Sequence, residues 1–141
     1  MKTLLPTICL LLTAASAWAG EPPGHPRGAD AVIDVSVPRA GGPDGRTVAE
    51  VITARTELKD KTVAVRARVV KFNSAIMGKN WLHVRDGSGS ASDNTNDLLV
   101  TSSQPAKVGD ILTMRGTVRT DKDFGYGYFY GVLVEDATWQ Q

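Results

Sequence analysis

Residues 61–73 read Lys61-Thr-Val-Ala-Val-Arg-Ala-Arg-Val-Val-Lys-Phe-Asn73, and their hydrophobic pattern decides the fold. Val63, Val65, Ala67 and Val69 alternate with Ala64, Arg66 and Arg68. A period of two is that of a β-strand with one apolar and one polar face. The phase then slips, because Val69 and Val70 are adjacent apolar residues and Phe72 continues the second phase. One extra residue in a strand bends it and strengthens its twist, so the slip predicts a long first strand with a bulge.

Working outward, the C-terminal half carries four more strand patterns. These are Trp81 to Arg85, Leu98 to Thr101, Ile111 to Arg119 (with Leu112, Met114 and Val118 on one side) and Tyr128 to Glu135. Gly87, Gly109 and Gly125 punctuate the turns between them. On the N-terminal side, Thr47-Val-Ala-Glu50 is a capping box: the Thr hydroxyl accepts from a first-turn N–H and the Glu reaches back to the cap N–H. Val48, Val51, Ile52 and Leu58 follow at helical spacing, which predicts one amphipathic helix over 48–58. One helix plus five strands, the first long and bent, describes a mainly-β domain over 47–139. The expected architecture is a five-stranded OB-fold Greek-key barrel with an N-terminal α-helix, and an SH3-like barrel is its main competitor. No βαβ alternation is present, which argues against a nucleotide-binding parallel sheet.

Before Thr47 the composition changes. Lys2, the apolar run Leu4 to Ala15 and the small-x-small motif Ala17-Trp-Ala19 have the form of a signal peptide over residues 1–19. The run is shorter than the ~20 residues that span a bilayer, and no later segment approaches that length, so no transmembrane segment is expected in the mature chain. The expected location is the periplasm or the exterior. Cys9, the sole cysteine, lies in the apolar run and leaves with it, so no thiol, disulfide or cysteine metal ligand is expected afterwards. Losing Lys2 also reduces the 16 basic residues to match the 15 acidic ones. Any anion recognition must then come from a local patch rather than from net charge. Residues 20–46 hold five prolines and six glycines and read as an extended leader. Within it, 31–37 (AVIDVSV) alternates like a short edge strand.

With the elements assigned, a resemblance emerges. VAEVITA, KTVAVRARVVKFN, IMGKNWLHVRDGSG, NDLLVT, VGDILTMRGTV, DKDFGYGYFY and VLVEDA follow in order a pattern found in small exported bacterial OB-fold proteins. These are related to the anticodon-binding type of OB-fold and are often labelled DNA-binding or nucleic-acid-binding. The resemblance covers roughly Thr47 to Ala137, and IMGKNWLHVRDGSG and DKDFGYGY are its most specific parts. One departure is Ala67, where the family pattern usually has glycine; a change this small should leave a barrel intact. The resemblance implies an OB-fold and, by analogy of fold alone, a nucleic-acid ligand.

The chemical motifs narrow the function further. Asp86-Gly-Ser-Gly-Ser-Ala-Ser92 lacks the Gly-Lys-Ser/Thr ending of a phosphate loop and leads into no helical pattern. Asp86, Ser88, Ser90, Asp93 and Asp97 gather oxygens as calcium loops do. However, Ala91 stands where an EF-hand loop needs glycine and Asp97 where it needs a bidentate Glu. His25 and His83 stand alone, so no metal, cofactor or catalytic residue is assigned. What remains is a binding face. Leu82 and Val84 point inward in the second strand, leaving Trp81, His83 and Arg85 outside, alongside Arg66 and Arg68 of the first, with Lys79 at the edge. Phe124 and Tyr126, in the loop between the fourth and fifth strands, border it. The expected function is a non-catalytic binding module, with single-stranded nucleic acid as the leading ligand. The alternative is an adaptor for an envelope protein, peptide or glycan.

Overall fold

The structure is a computed structural model and describes residues 36–141. The expected signal peptide and the bulk of the expected 31–37 strand lie outside the described residues.

The elements are β1 (Gly45–Arg46), α1 (Val48–Thr53), α2 (Arg55–Leu58), β2 (Thr62–Ile76), β3 (Lys79–Arg85), β4 (Leu98–Ser102), β5 (Ile111–Asp123) and β6 (Phe129–Thr138). They form a mixed six-stranded sheet in which five strands close into a ring. β2 pairs antiparallel with β3 and with β5, β3 with β4, and β5 with β6. A parallel contact of β4 with β6 at Val100 and Val134 completes the ring. β1 is a two-residue parallel addition to β2 at Ala64 and Val65.

The ring depends on the pattern in 61–73. Residues 62–68 of β2 pair with β5, whereas Arg68 and the residues after it pair with β3. The register shifts between Val69 and Lys71, leaving Val70 as the bulged residue. This is the phase slip of the sequence, and it turns one strand from one neighbour to the next. Val63, Val65, Ala67 and Val69 face inward with Leu82, Val84, Leu98, Val100, Met114, Val118, Val134 and Ala137 in one buried cluster. Gly116 faces the same interior, and a Cβ there would stand 2.7 Å from Val134 Cγ1 and 2.9 Å from the Glu135 carbonyl oxygen. Only glycine lets β5 and β6 approach so closely where their register shifts.

Val48, Val51, Ile52 and Leu58 are all buried against that cluster, as the helical spacing required. The single expected helix is broken at Ala54 (φ −96°, ψ 19°) into two short helices. The capping box is formed: Glu50 N–H donates to Thr47 Oγ1, and Thr47 N–H donates to Glu50 Oε2. The two donors between are satisfied from the loop after β3. Val48 N–H donates to Asp86 Oδ2 (2.9 Å) and Ala49 N–H to Ser88 Oγ (3.0 Å). The Asp86 carbonyl also accepts from Val37 N–H (3.0 Å). The Asp-Gly-Ser motif is therefore the device that fastens the helix and the chain before it to the ring. Packing consequently begins ahead of Thr47, with Val37 and Ala40 buried.

Candidate functional site

Outward positions of β2 and β3 carry the predicted basic residues. Arg68 stands directly opposite Arg85, and Lys71 opposite His83. Like charges face to face across two strands repel unless something offsets them. Part of the offset is Asp97, just before β4. Its Oδ2 accepts from Arg85 Nε (2.9 Å), and its Oδ1 lies 2.6 Å from His83 Nδ1. A carboxylate only accepts, so Nδ1 carries the hydrogen of that bond. Arg66, Arg68 and Lys71 form no ion pair among the described residues. The Nε of Arg68 is moreover buried with no hydrogen-bond partner. Arg66 differs from expectation in one respect: its cross-strand neighbour is Thr113 of β5, because pairing with β3 starts only at Arg68.

Lys79, Trp81 and Phe124 gather at the opposite end of β3. Arg85 lies four residues, about 13 Å, along the strand from Trp81. The predicted site is thus in two parts, arginines at one end and aromatics at the other. Trp81 does face outward, but it is only 4% exposed and roofs a second small cluster with Leu99 and Leu133. Phe124 packs edge-on against it at 5.0 Å between centroids, and Tyr130 lies at 5.7 Å. Its indole N–H donates to the Ile76 carbonyl (2.8 Å). The β5–β6 hairpin covers Trp81, through Phe124 and Tyr130. The open aromatics are instead on that hairpin: Tyr126 (96% exposed), Phe129 (58%) and Tyr128. Beside it, the β2–β3 hairpin exposes Ile76 and Met77.

Lys79 is drawn into a charge cluster around the buried Glu135. Its Nζ donates to Glu135 Oε1 (2.8 Å), while Arg119 Nε (3.2 Å) and Lys122 Nζ (3.5 Å) reach Oε2 of the same carboxylate. Burial alone would raise the Glu135 carboxyl, but the hydrogen bond and charge of Lys79, helped by Lys122 and Arg119, hold it below its ordinary range. Asp97 behaves alike: burial pushes it up, and the hydrogen bonds and charges of His83 and Arg85 bring it down further than that. A carboxylate with a depressed folded value stabilises the fold above its unfolded value, near pH 4, and loses that contribution as pH falls through the folded value. Urea unfolding at pH 7 and pH 3 is expected to show a lower midpoint at pH 3, with a smaller difference in Asp97→Asn. An equal pH difference in that variant would show that Asp97 contributes nothing.

The oxygen-rich segment 86–97 is otherwise engaged. Asp86 and Ser88 cap α1, Ser90 Oγ donates to Asp93, and Asp97 holds His83 and Arg85. Among the described residues, no group of three or more His, Cys, Asp or Glu is placed to hold a metal ion. Also among them, no helix is long and apolar enough to cross a membrane. Three residues of the site escaped sequence reasoning. Lys71 reaches the outer face only because Val70 is bulged, a signal present in the phase slip. Tyr128 and Phe129 read as the start of the expected fifth strand and are not singled out there as exposed aromatics; Phe129 does open β6, and both side chains are exposed. No family model, curated protein or solved structure matches this chain.

Proposed function

We propose that the chain is an exported, non-catalytic OB-fold module that binds single-stranded nucleic acid along the outside of β3. The strand connections support the fold: β2, β3 and β4 are three consecutive antiparallel neighbours, and β5–β6 returns to lie beside β2, as in a Greek-key barrel. The resemblance of those stretches to exported OB-fold proteins supports the same class, and Lys2, the apolar run Leu4 to Ala15 and Ala17-Trp-Ala19 support a signal peptide at 1–19. The observation that carries the ligand is the row Arg66, Arg68, Lys71 and Arg85, with Asp97 as its one acidic partner among the described residues. Phosphates would neutralise that row. Bases would stack on Tyr126 and Phe129 at the far end rather than on the covered Trp81. His83 stays a positioning group here: its imidazole braces Asp97 and lies on an open face.

Fluorescence anisotropy with a labelled single-stranded DNA at low and raised salt tests this. Wild type is expected to bind at low salt and weaken steeply with salt. Arg66→Ala with Arg68→Ala is expected to lose about tenfold and flatten the salt slope by about 1.4, two contacts' worth. No binding by wild type at low salt would sink the reading.

A second reading, an adaptor for an envelope protein, peptide or glycan, is favoured by the apolar hairpin tips Ile76, Met77, Tyr126 and Phe129 and by exposed Asp121, Asp123 and Asp136 around them. Those carboxylates repel a polyanion. On this reading immobilised protein retains a defined envelope partner after nuclease treatment and releases it with Tyr126→Ala.

A further inference from the structure

We infer that a groove on the outside of β2 and β5 is a binding site for a small amphipathic anion, a carboxylate with an apolar tail. It lies around the ring from β3, and of the nucleic-acid row it shares only Arg66. The groove has a volume of about 570 Å³, within the ~300–1,000 Å³ typical of small-molecule sites. Arg66, Ile111, Leu112, Thr113, Arg115 and Trp139 line it. A second depression of about 410 Å³ shares Leu112 and Trp139 and continues past Pro105 and Ala106.

The register explains how the groove arises. Arg66 faces Thr113, and Ala64 faces Arg115. The two arginines are therefore diagonal neighbours, roughly 7–8 Å apart, with only a methyl group and a threonine completing the square. The small residues leave space between two guanidiniums. Arg115 is bonded to Asp44, and Arg66 has no ion pair among the described residues, so the polar end carries an excess positive charge. Guanidinium forks accept a carboxylate through two parallel hydrogen bonds, so a carboxylate head group fits the polar end. The other walls combine the apolar side chains Ile111, Leu112 and Trp139 with Thr138 and Gln140. Ile111 is 42% exposed, and Leu112 and Trp139 beside it are partly buried. A tail entering there would cover Ile111 and run toward Pro105 and Ala106.

The test uses decanoate and decanol, equal in tail and different in head, titrated into ¹⁵N-labelled protein. Decanoate is expected to bind saturably, to shift the indole N–H of Trp139 and the amide of Ile111, and to bind at least tenfold more tightly than decanol. Arg115→Gln is expected to weaken decanoate five- to twentyfold and leave DNA binding unchanged, while Arg68→Ala does the reverse. Because Arg115 also holds Asp44, Ile111→Ser provides a second variant from the apolar side that leaves the ion pair intact. It is expected to weaken both ligands by similar factors. Equal binding of decanol and decanoate, shifts at Trp81 instead of Trp139, or unchanged binding in both groove variants would each overturn the inference.

Discussion

Asp86→Ala is expected to lower the stability of the domain by about 2–4 kcal/mol, combining a lost helix cap with a buried donor left unpaired. Asp86 is buried, and its two oxygens divide the work. Oδ2 takes the Val48 N–H at the start of α1, and Oδ1 takes the backbone N–H and hydroxyl of Ser88. Ser88 in turn takes the Ala49 N–H. Removing the carboxylate therefore releases two first-turn donors, one directly and one through a loosened Ser88. The buried Val48 N–H has no water to turn to. Asp86→Asn retains one carbonyl oxygen and presents an amide N–H₂ where the second acceptor was, so it should fall between wild type and alanine. Thermal unfolding reads the effect: a loss of about 2–4 kcal/mol in a domain near 100 residues moves the midpoint by ~10 °C or more. A change of only a degree or two would mean that the helix is held by its apolar face alone.

Trp81→Ala is expected to cost more, about 3–5 kcal/mol, a large share of the ~5–15 kcal/mol that a domain commands. The indole fills the space beneath Phe124 and Tyr130 and spends its polar atom on the Ile76 carbonyl. Its removal opens a cavity outside the ring and frees the β5–β6 hairpin. Trp81→Phe keeps most of the packing and loses the hydrogen bond, so it should lie much nearer wild type. The comparison with Tyr126→Ala is decisive for function. Tyr126 stands almost wholly in solvent, so its replacement should change stability by less than about 0.5 kcal/mol. If that tyrosine stacks on a base, DNA affinity falls by an amount equivalent to ~1–3 kcal/mol with the fold intact. A binding loss seen only with Trp81→Ala would instead report a displaced hairpin.

Local patterns in the sequence carried much of the fold. Period-two alternation located the strands, and the slip at Val69–Val70 located the bulge at which β2 changes partner. The capping box and the 48–58 stripe located the helical segment, although not its break at Ala54. What escaped was set by contacts between residues far apart in the chain. Asp86 gives no local sign that it caps a helix 38 residues earlier. β1 is too short to leave a periodic trace and exists because Asp44–Arg46 lies along β2. The site shows the same division. The outward alternation of Trp81, His83 and Arg85 could be read, because it depends on strand geometry alone. The covering of Trp81 could not, because it depends on where a hairpin 40 residues later folds back.

The ring also has a history in time. The β2–β3 and β5–β6 pairs are neighbours in sequence and can close early. The β2–β5 seam must wait until residues 62–68 meet residues 111–117, and the β4–β6 seam joins Val100 to Val134. Long-range seams charge their loop entropy before returning any contact energy, so folding should take milliseconds to seconds rather than microseconds. Until the β2–β5 seam forms, residues 62–68 of β2 present an unpaired edge. Such an edge invites pairing with another chain, so the rate of ring closure sets how long each new molecule is prone to aggregate.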